Sequence, residues 1–134
     1  VMSKLCNFLL FFHIDIRRKV FKQILDNLGG KLRLILYGGA PMDKPAIIGL
    51  SNFGISINQG YGLTETSPVI SAETDHFKKP GATGLVMCNE EAKIYNPNDE
   101  GIGEIIVKGP NIMLGYYKDE EATKEAIKDG WFYT

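Results

Sequence analysis

The chain has 134 residues, enough for about one domain. Hydrophobic residues make up 44% and charged residues 23%, so it can bury a core and is no disordered tail. With 15 basic against 16 acidic residues the net charge is −1, which argues against a dedicated nucleic-acid binder.

Cys6 and Cys88 lie far apart without CxxC or Cys/His spacing, so neither a disulfide framework nor a structural zinc site is expected. A reducing cytoplasm is the expected location. Residues 5–12 (LCNFLLFF) are almost wholly apolar but far short of the ~20 residues that a membrane span needs. No small-residue cleavage site follows them, so they read as a core-facing helix or as a surface meant for a neighbour.

Residues 15–28 carry a helical stripe of Ile16, Val20, Phe21, Ile24, Leu25 and Leu28. Asp15 can cap its start, and Gly29-Gly30 supplies a left-handed stop. Arg17, Arg18, Lys19 and Lys22 lie mostly outside the stripe. They could meet phosphate or peripheral membrane lipid, but a solvated helix face is the preferred reading. Residues 31–37 (KLRLILY) then read as a strand, mostly buried from Leu34 on, which ends in Gly38-Gly39-Ala40-Pro41. Asp43 can cap a second helix, closed by Gly54, and residues 55–59 form a second strand running into Gly60-Tyr61-Gly62. Strand, helix, strand predicts a right-handed parallel crossover with functional loops at the strands' carboxyl ends.

The pattern changes after about residue 78. Residues 81–86, 91–95 and 103–108 are short strand candidates separated by turn chemistry. Asp119 caps a short polar helix over 120–127, and Asp129-Gly130 marks a further turn. Cys88, placed in a strand, reads as a small buried hydrophobe. The predicted class is α/β: a partial parallel sheet with flanking helices over about 1–78, then a small antiparallel β unit, part of a distorted barrel, over about 79–134. The chain stops at Trp131-Phe132-Tyr133-Thr134 with no turn or cap after the aromatic cluster, which reads as a cut end.

Gly39, Ala40 and Pro41 alone describe a turn as well as a ligand contact. The run Gln59-Gly60-Tyr61-Gly62-Leu63-Thr64-Glu65 carries more chemistry. A tyrosine between glycines can offer its face to a base, Thr64 a hydroxyl to phosphate, and Glu65 the hard oxygen that Mg²⁺ prefers. The same residues can equally pack a loop and open a helical turn. His13 and His76 stand alone and are assigned no catalysis.

The unbroken segment QGYGLTETSP resembles the adenylate-forming superfamily of acyl-CoA synthetases, luciferase-type enzymes and adenylation domains. Gly38 to Pro41, the run GIGEI at 101–105 with Gly109-Pro110 and Gly115-Tyr116-Tyr117, and the terminal GWFYT match it in order and spacing. The lead-in IDIRRKVFKQILDNLGGKLRLILYGGAP looks most like bacterial long-chain fatty-acid–CoA ligases. The resemblance implies that Tyr61 stacks on adenine, Thr64 binds phosphate, and Glu65 ligates Mg²⁺. By the same resemblance, Gly39-Ala40-Pro41 lies along the adenine and Gln59, Gly60 and Gly62 border the nucleotide and acyl pocket. The implied reaction is carboxylate plus ATP to acyl adenylate, then thioester formation with CoA. The family's phosphate loop, ribose-binding Asp and lid Lys have no match in these residues, so the resemblance implies a piece truncated at both ends and inactive alone. The partner strands lost by Leu34, Leu36, Ile55 and Ile57 lead to an expectation of self-association. Val86 and Cys88 stand where the family commonly has prolines, which puts the first strand of the β unit in doubt. The alternatives are an adenylation domain loading a carrier protein and a non-catalytic binding module.

Overall fold

The structure is a computed structural model describing residues 2–79 and 81–134. The chain forms two compact units, the first ending at Asn58 and the second spanning Gln59–Thr134.

In the first unit, α1 (Met2–Phe11) packs on α2 (Arg17–Val20) and α4 (Lys44–Asn52). It buries Cys6 and leaves Met2, Leu5, Phe8 and Phe11 exposed, so the apolar N-terminal run is mainly a surface. The expected continuous helix is divided into α2 and α3 (Lys22–Asn27). Phe21 leaves helical geometry between them and sets its ring edge-on to Phe53 at 5.0 Å. Of the predicted stripe Leu25 is fully buried, while Ile24 and Leu28 turn outward. Gly29 and Gly30 both have positive φ and stop α3 as expected.

The basic cluster is not simply a solvated face. Arg17 donates to Asp15 and to the Ser51 carbonyl at 2.9 Å, and Arg18 donates to the carbonyls of Leu32 at 2.8 Å and Gly30 at 3.1 Å. Arg18 meets carbonyls between the end of α3 and the following strand, and Arg17 shares the Ser51 carbonyl at the end of α4 with Gly54 N–H. Lys19 and Lys22 are exposed, as expected.

β1 (Leu34–Tyr37) lies beside the start of β2 (Ser56–Tyr61) in the parallel sense, with α4 as the crossover. Leu25, Ile55 and Ile57 form the core, flanked by Ile35, Tyr37, Ile47, Leu50 and Phe53. That face alone is covered. Leu34 and Leu36 alternate onto the other side and are exposed, which corrects the expectation of a mostly buried strand.

In the second unit, Gly60 and Tyr61 of β2 pair with β3 (Ser71–Ala72), and β3 pairs with β4 (Leu85–Val86). The expected strand over 81–86 is thus shorter, and it joins this sheet rather than the following one. Gly84 crosses the backbone of Ala72 so closely that a Cβ there would lie 1.9 Å from the Ala72 carbonyl carbon. Cys88 is also corrected. It sits exposed in the turn after β4, where Glu90 N–H bonds the Met87 carbonyl and Asn89 takes a φ of 66°.

β5 (Glu91–Tyr95) and β6 (Glu104–Lys108) form the predicted antiparallel pair. The hairpin β7 (Ile127–Lys128) and β8 (Trp131–Tyr133) extends it to the order β5-β6-β8-β7. Asp129 and Gly130, both at positive φ, make its tight turn. Ile106, Val107 and Phe132 are buried at its centre. Before this hairpin, α5 (Glu120–Ala126) starts where expected, with the Asp119 carboxylate accepting from Ala122 N–H at 3.0 Å.

Candidate functional site

The conspicuous segment lies at the end of β2, within the second unit. Gly62 approaches the chain beyond the turn so tightly that a Cβ would fall 1.8 Å from the Pro68 carbonyl oxygen. Only glycine fits there. Residues Thr64–Thr66 then form a single 3₁₀ turn, so the helical-turn reading of these residues holds for their backbone.

Thr66 is the pivot of that turn and was not expected from sequence. It is fully buried. Its Oγ1 accepts Leu63 N–H at 3.0 Å and lies 2.9 and 3.0 Å from the carbonyl oxygens of Leu63 and Pro68. Thr66 faces inward, so its neighbours face out: Thr64 is exposed and Glu65 is half-buried.

A second segment grips this turn. Met113 N–H donates to the Glu65 carbonyl at 2.8 Å, and Asn111 Nδ2 donates to the Thr66 carbonyl at 2.7 Å. The Tyr116 hydroxyl donates to Glu65 Oε1 at 3.0 Å. That bond, made to the neutral phenol, raises the Tyr116 pKa above the ordinary tyrosine value, with desolvation adding to it. Near the base of this segment, Glu90 Oε2 and Asn111 Oδ1 are buried without hydrogen-bond partners. Burial pushes the Glu90 carboxyl up, and the Asn111 amide opposes this.

Tyr61 is half-buried, and its hydroxyl lies 3.4 Å from Thr134 Oγ1. Gln59 N–H donates to Glu73 Oε2 at 2.9 Å, while Glu73 N–H returns to the Gln59 carbonyl. The second unit therefore brings together Gln59, Gly60, Tyr61, Gly62, Thr64 and Glu65 on one strand end. Gly39, Ala40 and Pro41 belong to the first unit, exposed in the loop after β1, where Gly39 takes a φ of 80°. His13 and His76 are exposed, and among the described residues no three His, Cys, Asp or Glu side chains gather as a metal cage.

One lone carboxylate fits a particular kind of metal site. Glu65 Oε2 takes no hydrogen bond from any described residue, and a hard oxygen of this kind suits Mg²⁺. Mg²⁺ commonly uses one or two carboxylates and takes its other ligands from phosphate and water.

The chain is similar over most of its length to parts of several CoA ligases. The 2-succinylbenzoate–CoA ligase of Bacillus cytotoxicus is 38% identical in an alignment covering 90% of this chain and 27% of that protein. The peroxisomal long chain acyl-CoA synthetase 7 of Arabidopsis thaliana is 40% identical, covering 86% of this chain and 18% of its own. The solved o-succinylbenzoate CoA synthetase of Bacillus subtilis, in complex with ATP and magnesium ion, superposes with a TM-score of 0.65 at 31% identity, covering 84% of this chain and 26% of that one. The profile of the family described as AMP-binding enzyme matches residues 4–117. The chain belongs to this family of AMP-binding enzymes. It spans about a quarter of the length of the first relative.

Proposed function

We propose that the chain supplies the adenine-, phosphate- and metal-binding part of an ATP-dependent, AMP-forming ligase that activates a fatty acid and passes it to CoA. The observation that carries this reading is the turn at Thr64–Thr66. It presents an exposed hydroxyl beside a carboxylate at the end of a strand, on a backbone held by buried Thr66 and by Asn111 and Met113.

Each residue has a role that its position allows. Tyr61 offers a ring face to adenine, and Gly60 and Gly62 keep that face clear of neighbouring side chains. For Gly39, Ala40 and Pro41 the family resemblance alone supports a place along the nucleotide, and Gln59 borders the acyl group. Thr64 donates its hydroxyl to a phosphate oxygen, and Glu65 holds a divalent cation. When bound, that cation neutralises negative charge on the phosphoryl oxygens during carboxylate attack and loss of pyrophosphate. A backbone fixed beforehand keeps these groups from reorganising as charge develops.

The two kinds of relative give the acid two candidate forms. A fatty acid agrees with the plant synthetase and with the lead-in over residues 14–41. An aromatic acid is the second reading, favoured by the 38% identity to the Bacillus 2-succinylbenzoate enzyme. CoA as acceptor, rather than a carrier protein, agrees with the names of both relatives. Among the described residues no helix is long and apolar enough to cross a membrane. A cytoplasmic enzyme, with or without peripheral membrane contact, is the setting we propose.

The test is Glu65→Gln in the complete polypeptide encoded with this sequence. Adenylate formation is measured in single turnover across a Mg²⁺ titration. The variant keeps shape and hydrogen bonding but loses the charge. We expect the rate to fall more than nucleotide affinity does. An unchanged rate at every Mg²⁺ concentration makes Glu65 a turn residue only.

A further inference from the structure

Tyr116 is set apart from its neighbours by where its side chain goes. Leu114 and Tyr117 project almost entirely into solvent, whereas Tyr116 folds back and donates its hydroxyl to Glu65 Oε1 at 3.0 Å. The two residues are 51 positions apart, so only the tertiary fold makes this pair.

The backbone that carries Tyr116 is locked before the ring is placed. Gly115 lies against Thr123 of α5, where an added Cβ would meet Thr123 Cγ2 at 2.8 Å. Tyr116 N–H donates to Thr123 Oγ1 at 2.9 Å, and that hydroxyl donates to the Asp119 carbonyl at 2.7 Å. Asp119 in turn caps α5. On the other side, Met113 N–H holds the Glu65 carbonyl. Glu65 is thus gripped at its main chain and at one carboxylate oxygen by a single segment, which α5 anchors. A surface tyrosine placed only for packing needs none of this.

The chemical consequence concerns the two oxygens of one carboxylate. An unrestrained glutamate can rotate, or offer both oxygens to a cation. With the phenol on Oε1, Oε2 is the carboxylate oxygen that takes no hydrogen bond from a described residue and is the more open to a metal. A small cation that demands near-octahedral geometry is served by one fixed oxygen rather than a mobile pair. Partners of this kind orient metal ligands and tune affinity.

We propose that Tyr116 is a positioning residue for Glu65, holding Oε1 so that Oε2 alone meets the divalent cation that accompanies the nucleotide. The assignment rests on the metal role given above to Glu65. The probe is Mn²⁺ in the presence of ATP, its free concentration read by electron paramagnetic resonance. It is titrated into the complete polypeptide as wild type, Y116F, E65Q and the double variant. Y116F keeps the ring and removes only the hydroxyl. Mn²⁺ affinity should drop about threefold to tenfold in Y116F, the scale of one ordinary net hydrogen bond. In the E65Q background the same change should do almost nothing. Raising Mg²⁺ should also return the adenylation rate of Y116F to within about twofold of wild type, because positioning shifts the metal dependence and not the saturated rate.

Three results count against the proposal. Wild-type affinity in Y116F overturns it. So does an equal loss in the wild-type and E65Q backgrounds, which assigns the effect to the loop and not to the carboxylate. Unchanged Mn²⁺ affinity in E65Q itself overturns the metal role of Glu65, and the Tyr116 proposal falls with it.

Discussion

Thr66→Val tests whether the candidate turn is held from inside. The substitution nearly preserves volume and removes one hydroxyl from a fully buried place. That hydroxyl accepts from Leu63 N–H at 3.0 Å and serves the carbonyls of Leu63 and Pro68 at 2.9 and 3.0 Å. Valine leaves Leu63 N–H without its acceptor and removes the one hydroxyl proton available to the two carbonyls, of which that of Leu63 keeps the backbone N–H of residue 66 at 3.0 Å. Two net hydrogen bonds of ~1 kcal/mol each predict a loss of about 2 kcal/mol. Thr66→Ser is the control. It keeps the hydroxyl and loses a buried methyl, worth about 1 kcal/mol. The only tryptophan, Trp131, lies in the same unit as the turn, so its fluorescence follows urea unfolding of that unit. The valine variant should lower the urea midpoint by about 1 M, roughly twice the shift of the serine variant. Thr66→Val within about 0.3 kcal/mol of wild type, or serine as costly as valine, refutes the argument.

Two further outcomes follow from the same structure. Asp15 is held below its ordinary pKa, first by the side-chain hydrogen bond from Arg17. Its contribution is therefore present above the unfolded value of 3.8 and fades as pH falls through the lower folded value. Because the pair is partly exposed, Asp15→Asn should cost only about 0.5 kcal/mol at neutral pH and nothing in strong acid, as read by thermal melts across pH. A constant cost at every pH contradicts this. Cys88 is exposed and Cys6 is buried, so a thiol reagent should label one cysteine at once and the second only after unfolding. Equal labelling rates for the two contradict the placement of Cys88.

What could be read from the sequence was local. Asp119 capping α5, Gly29-Gly30 closing α3, the Asp129-Gly130 turn and the limits of β5 each depend on chemistry within a few residues. β3, with two residues, is too short to carry a period, and the β7–β8 hairpin offers only its turn as a signal. Burial was misjudged wherever the answer lay far along the chain. Arg17 and Arg18 look like a solvated pair until the carbonyls at 30, 32 and 51 come round to meet them. Leu34 and Leu36 look like core until only one face of β1 is covered. Tyr61, Thr64 and Glu65 stood out because glycines and an adjacent hydroxyl and carboxylate are visible in one segment. Thr66 and Tyr116 were hidden for opposite reasons. Thr66 is an ordinary threonine until its burial is known, and Tyr116 acts on a residue 51 positions away. The glycine before Tyr116 was the one local hint that its backbone is constrained.

Exchange of labelled pyrophosphate into ATP reads directly the proposed activation of a carboxylic acid through an adenylate. The complete polypeptide is assayed with straight-chain fatty acids of increasing length and with 2-succinylbenzoate, followed by CoA as acceptor. Acid-dependent exchange should be highest with a medium or long fatty acid, reduced by Glu65→Gln, and followed by thioester formation on addition of CoA. Exchange supported only by the aromatic acid would move the substrate to the second reading. No exchange with any carboxylate, in a polypeptide that is folded and binds ATP, would contradict the proposed activation itself.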